Sequence, residues 1–216
     1  MPVAKKPPAK ARPAVKKAAQ AVMPTKARSA QSKAPKSGYD PLAPQRVQDI
    51  LNRLDKQYPN VRCALHHNNA WELVIATILS AQCTDVMVNK VTPGLFKLYP
   101  TPQAMAAATP EELEPILRPT GFYRNKAKSV VGASRGIVEN FGGQVPDDMD
   151  KLLTLPGVAR KTANVVLGSW FGKAVGVVVD THVHRISRRL ELTKADDPKN
   201  IEQDLMKVIP QKKWID

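Results

Sequence analysis

Apolar positions recur along the chain at the three- and four-residue spacing of amphipathic helices. Val47, Ile50, Leu51, Leu54 and Tyr58 follow it, and Pro59 closes that segment. A second helix is predicted over 71–82, with Trp71, Val74, Ile75, Ile78 and Leu79 apolar. Its WELVIATILSA run holds so little charge that this helix is expected at the centre of the core. Thr84 or Asp85 can cap the next helix, which Pro93 should break or kink near Thr92. Residues 102–108 form a short helix. Thr109-Pro110-Glu111-Glu112 is then a capping box with proline at the first helical position, opening a helix to about Leu117. Residues 125–141 are amphipathic through Ala127, Val130, Val131, Ile137, Val138 and Phe141, and Gly142-Gly143 stops them. A final helix starts at Asp197-Pro198 and carries Ile201, Leu205, Val208 and Ile209. Residues 175–179 are strand-like in composition, but nothing nearby alternates to pair with them. The predicted fold is all-α.

The stretch 147–189 breaks this rhythm twice. Asp147 follows a proline and is expected to cap a short helix over 148–154. Leu155-Pro156-Gly157-Val158-Ala159 cannot continue that helix, since Pro156 lacks an N–H and Gly157 suits a turn closed to other residues. A helix restarts at about Ala159, with Ala163, Val166, Leu167 and Trp170 on one face and Gly172 at its end. The backbone amides around Gly157 and Ala159 then lie at a free helix N-terminus, which is an anion site. Arg160 and Lys161 occupy that same first turn, where cations are misplaced unless an anion arrives. A DNA phosphate would answer them. Alone, an Arg-Lys pair reads more readily as two solvated cations; the hairpin before it and Asp180-Thr181-His182 after it shift that balance.

Charge is unevenly spread. Ten of the 33 Lys and Arg fall in the first 38 residues, which contain no acid, so only +4 of the formal +14 belongs to the remainder. That Lys-Pro-Ala segment has no aromatic residue before Tyr39 and cannot bury enough surface to order itself, so it is expected to be a disordered tail. As a flexible coil it would reach ~35 Å, either as a basic arm trapping DNA or as a solubilising linker. Its six prolines oppose the amphipathic helix of a transit peptide. No apolar run reaches membrane-spanning length. Cys63 and Cys83 lack metal-ligand spacing and read as reduced structural thiols. His66-His67 and His182/His184 likewise lack ligand partners.

LPGVARKTANVV followed by VVVDTHVHR resembles the helix-hairpin-helix and catalytic aspartate of the endonuclease III family of DNA repair glycosylases. The resemblance extends upstream through LSAQCTD and GFYRNKA and covers about 45–216. It implies Lys161 as the nucleophile and Asp180 as the catalytic carboxylate. Ala159 stands where the family usually has glycine. Gln82 and Phe122 match the positions that enter the duplex where a base has flipped out, Gln82 facing the orphaned base and Phe122 acting as a wedge. The family commonly has leucine at the wedge. Core packing is the competing reading of Phe122, a backbone-bonded helix-terminal amide that of Gln82, and simple capping that of Asp180. Arg160, Arg124 and Lys126 are candidate phosphate contacts beside the hairpin amides of Gly157 and Ala159.

The implied architecture has two lobes. One is a bundle over 69–171; the other joins 39–68 to 172–216 and is incomplete at its C-terminus, with Lys161 and Asp180 in the cleft between them. The implied activity is base-excision repair: a glycosylase for oxidised or damaged pyrimidines that also cleaves abasic sites by β-elimination. A Schiff-base lysine must be neutral, and a helix N-terminus in a desolvated cleft would lower its pKa. Two alternatives differ in class. A monofunctional relative would lack a lysine at position 161, and a non-catalytic hairpin module would not require Asp180. The expected partner is double-stranded DNA carrying damaged bases or abasic sites, with no membrane, and the protein is expected to be a cytoplasmic monomer, nucleoid-associated if bacterial. Family members usually bind a 4Fe-4S cluster through four C-terminal cysteines. These are absent before Asp216, so no cofactor is expected in this chain, and its end reads as lacking a segment.

Overall fold

In the computed structural model, residues 39–215 are described, so the expectation of a disordered tail falls outside them. Ten α-helices follow in order: α1 Pro44–Gln57, α2 Ala70–Leu79, α3 Asp85–Leu98, α4 Pro102–Ala107, α5 Pro110–Leu117, α6 Tyr123–Phe141, α7 Met149–Leu153, α8 Arg160–Ser169, α9 Thr181–Arg189 and α10 Pro198–Val208. Short 3₁₀ turns occupy Arg118–Thr120 and Gln211–Lys213. Among the described residues there is no strand. The fold is all-α.

α2 is the central helix of the larger core. Trp71 through Leu79 are all buried, and the helix packs against α3, α6 and α8. Its start is closed reciprocally: Asn69 Oδ1 accepts from the Glu72 amide at 2.8 Å, and Glu72 Oε2 accepts from the Asn68 amide at 2.7 Å. Such a cap contributes about 1 kcal/mol. Trp71 finds the polar partner that a buried indole requires, donating to Ser134 Oγ on α6 at 3.0 Å. The predicted capping box at α5 is present, with Glu112 Oε2 accepting from the Thr109 amide at 2.7 Å.

A separate, smaller core gathers Val47 from α1, Leu192, and Ile201 and Leu205 from α10, with Val177, Val179 and Val183 against them. Two polar contacts tie α1 to the end of the chain. Arg46 Nη2 donates to the Leu190 carbonyl at 2.8 Å, and Lys213 Nζ to Asp55 Oδ1 at 2.9 Å.

Several local expectations fail for identifiable reasons. α3 runs through Pro93 to Leu98. The proline removes one helical hydrogen bond, but burial of Val88, Val91, Thr92 and Leu95 holds both sides of it in one helix. Asp148, not Asp147, caps α7 through the Lys151 amide, because Asp147 is engaged by Lys173 at 2.6 Å. Leu54 and Tyr58 lie on the predicted apolar stripe of α1 yet are exposed, since the small core beneath that helix reaches only Val47 and Leu51. Trp170 is also exposed, at the C-cap of α8 with its ring edge against His67. The strand-like residues 175–179 are irregular, and Val177 and Val179 pack on helices instead.

Candidate active site and nucleic-acid interface

The hairpin between α7 and α8 is held by burial of Leu155 and Val158 and by a Val158 amide to Leu155 carbonyl bond of 3.1 Å. Gly157 has φ +77°, and a Cβ there would stand 2.6 Å from Ser129 Cβ on α6. Both the torsion and the close approach require glycine. α6 offers a shallow face to receive the hairpin: a Cβ on Gly132 would stand 3.1 Å from Pro156 Cγ, and one on Gly136 2.9 Å from Leu155 Cδ2. Sequence reasoning missed this face, although Ser129, Gly132 and Gly136 fall on one side of a helix.

Ala159 is the N-cap of α8, in extended conformation and with no side-chain bond to the first-turn amides. The methyl at this position therefore leaves the expected hairpin and helix start intact. No acid occupies that first turn; Arg160 and Lys161 do. The amides and the positive helix end are thus left for an external anion. Lys161 is exposed, so the fold by itself does not desolvate its amine.

Arg160 is not a free cation. Its Nε donates to Glu202 Oε2 at 2.7 Å and its Nη2 to Glu202 Oε1 at 3.1 Å, and this hydrogen bond and charge raise the Arg160 pKa further above its ordinary value. Glu202, on α10, is 4% exposed and also accepts from Asn164 Nδ2 at 2.9 Å. Gly176 passes directly over this group. A Cβ on Gly176 would overlap Glu202 Oε1 and lie 2.8 Å from Asn164 Nδ2. Asn164 is one helical turn after Lys161, and Asp180 lies four residues beyond Gly176, so the chain leading to Asp180 crosses α8 close to Lys161. Asn164, Gly176 and Glu202 were not legible as site residues, since each looks ordinary alone.

Asp180 caps α9. Its Oδ1 accepts from the His182 amide at 2.9 Å and the Val183 amide at 2.8 Å. The capping reading of this residue is therefore realised through one oxygen, and the half-buried carboxylate is held in a fixed orientation.

Gln82 and Phe122 share an uncommon backbone. Gln82 has φ +51° and Phe122 φ +47°, both left-handed and neither glycine. Such residues cost roughly 1–3 kcal/mol and concentrate at functional sites. Phe122 is 65% exposed, which overturns the core-packing alternative. Arg124 is exposed, 3.8 Å from Glu114 and over the Tyr123 ring. Lys126 differs from its expectation as a phosphate contact. It is 5% exposed, and its Nζ donates inward to the Thr120 carbonyl at 2.7 Å. Burial lowers its pKa below the ordinary lysine value, with the Cys83 thiol acting in the opposite direction. An open cleft of about 460 Å³ beside Trp71, Gln103, Gln144 and Trp170 contains none of these residues.

Residues 75–211 match the HhH-GPD superfamily of base excision DNA repair proteins. The chain belongs to that family. It is 58% identical over 170 residues to endonuclease III of Synechocystis sp., covering 79% of this chain and 78% of that protein. Endonuclease III of Bacillus subtilis is 44% identical, over 78% of this chain and 77% of its own length. Among solved structures, a trapped endonuclease III–DNA covalent intermediate, the estranged-adenine complex, superposes with TM-score 0.76 and 45% identity, covering 80% of this chain and 81% of that one. A thermostable thymine-DNA glycosylase, at 22% identity and TM-score 0.65 over 77% of this chain and 78% of its own, shares the fold. The family carries DNA glycosylase and abasic-site lyase activity, and this member is a base-excision repair enzyme that works on DNA.

The iron–sulfur cluster implied by the resemblance needs four thiolates. The sequence has only Cys63 and Cys83, and no group of three or more His, Cys, Asp or Glu among the described residues could hold a metal ion. The residues present do not fit that cluster. No helix among the described residues is long and apolar enough to cross a membrane.

Proposed function

We propose that this enzyme, acting as a monomer on double-stranded DNA, removes oxidised or damaged pyrimidines and then cleaves the abasic strand through Lys161. The observation that carries this reading is the pairing of an exposed Lys161, in a first turn without cap or acid, with an oriented Asp180 carboxylate delivered by a segment that crosses α8. The hairpin amides around Gly157 and Ala159 hold phosphate. Arg124, exposed and only loosely paired with Glu114, can add a contact, and Arg160 helps mainly by fixing the helix end against Glu202. Gln82 and Phe122 fill the vacated stack. The neutral Lys161 amine attacks C1′ as the C–N bond to the base breaks, and the Asp180 carboxylate stabilises the positive charge on the sugar and assists proton transfer from the lysine. The resulting imine makes the C2′ proton acidic. Its loss expels the 3′ phosphate oxygen, cutting the strand by β-elimination.

We read 69–171 as one lobe and 39–68 with 172–216 as the other, a division supported by the two separate hydrophobic cores except at Cys63 and Leu65, which pack in the larger one. The test is borohydride reduction on abasic duplex DNA in chelator. Wild-type protein should give a covalent adduct and Lys161→Ala none. An adduct at wild-type yield from Lys161→Ala would falsify the nucleophile assignment.

A further inference from the structure

Phe122 holds a torsion that phenylalanine avoids, with its ring in solvent, so its support must come from the backbone beside it. Lys126 touches that backbone on both sides. Its amide donates to the Phe122 carbonyl at 3.0 Å, and its ammonium donates to the Thr120 carbonyl at 2.7 Å. The two carbonyls bracket Gly121, at φ +69°, and Phe122, at φ +47°. Thr120 is fixed in turn by its hydroxyl, which donates to the Leu117 carbonyl at 2.8 Å. The Arg118–Thr120 turn packs on α3, the helix that follows Gln82.

We propose that Lys126 is a positioning residue: its buried ammonium clamps the Thr120 carbonyl and so presents Phe122 to the duplex. The inference rests on the wedge role given to Phe122 above. An ammonium in this position is costly to bury, and a methionine of similar length would satisfy packing without that cost. If Lys126 served packing alone, an apolar replacement would be neutral or stabilising. Its retention of a charge makes sense if the carbonyl it holds must not move. A surface cation meeting DNA phosphate is excluded by its direction and burial.

The discriminating variant is Lys126→Met. It should fold with a melting temperature at or above that of wild type, yet the ratio of base release from a lesion duplex to cleavage of a single-stranded abasic oligonucleotide should fall by about tenfold, the scale on which a supported left-handed residue is lost. Because the clamp acts through Phe122, Lys126→Met added to Phe122→Ala should lower that ratio little beyond Phe122→Ala alone. Lys126→Arg, which keeps a donor, should recover part of it. An unchanged ratio in Lys126→Met, or fully additive losses in the double variant, would overturn the clamp. Should the methionine variant fail to fold, the same comparison is read from Lys126→Gln, whose amide is one bond short of the carbonyl. Insertion can also be followed without chemistry, by 2-aminopurine fluorescence opposite an uncleavable abasic analogue. Lys126→Met should weaken that signal even if wild-type protein gave no borohydride adduct, a result that would sink the nucleophile reading and leave the clamp standing.

Discussion

In the proposed mechanism Asp180 performs two tasks with its two oxygens, and a single substitution separates them. Oδ1 is committed to the His182 and Val183 amides, and asparagine caps a helix as well as aspartate does. Asp180→Asn should therefore change stability by only a few tenths of a kcal/mol, a shift in melting temperature small enough to leave the fold in place. Base release should fall about 10²–10³-fold, the cost of removing a charge aimed at a developing ion, while cleavage of ready-made abasic sites falls less. Base release at wild-type rate from a folded Asp180→Asn protein would leave the residue as a cap only. Residues of this kind differ in how well a sequence exposes them. Lys161 and Asp180 sit in a motif whose breaks are written in Pro156, Gly157 and Gly172. Lys126 and Glu202 are charged side chains of ordinary appearance, and nothing local in the sequence distinguishes a buried ammonium from a solvated one. Burial of the first depends on the turn that brings the Thr120 carbonyl back over α6, and burial of the second on Arg160 and Asn164, about forty residues away along the chain.

At the scale of elements, the α7–hairpin–α8 unit is fastened from outside by Lys173, which donates to both the carboxylate and the carbonyl of Asp147. The hydrogen bond and charge of Lys173 lower the Asp147 pKa below the ordinary aspartate value. A carboxyl depressed in the folded state contributes stability above its unfolded pKa, near 3.9, and loses it as pH falls through the lower folded value. The difference in melting temperature between wild type and Asp147→Asn should thus be flat through neutral pH and shrink below about pH 4. A difference that instead grew on acidification would exclude the pair as its source. The same unit shows why helix ends are harder to place than helices. Asp147 and Asp148 are equally good caps by composition, and the choice between them is made by Lys173, twenty-six residues beyond Asp147. Pro93 carries the same lesson: its local cost is fixed, and four buried neighbours outweigh it.

For the whole molecule, helical periodicity was enough to predict an all-α chain with α2 at its centre, because burial on every face leaves a run almost free of charge. The smaller core was less legible. It joins α1 to α9 and α10 across more than 120 residues of intervening chain, and periodicity says which face of a helix is apolar but not which partner covers it. That is why Leu54 and Tyr58 were misplaced. The distribution of charge leads to a final expectation. With only +4 on residues 39–216, most non-specific attraction to DNA must come from the ten cations of the first 38 residues. Each phosphate neutralised adds about 0.9 to the slope of log affinity against log salt. Deleting 1–38 should therefore weaken binding to undamaged duplex and flatten that slope by several units if most of the ten engage phosphate. Single-turnover cleavage of a short lesion duplex at saturating protein should change little, because the residues proposed to meet the flipped nucleotide all lie beyond Tyr39. A salt slope unaltered by the deletion would show that the tail makes no contact with DNA and serves as a linker.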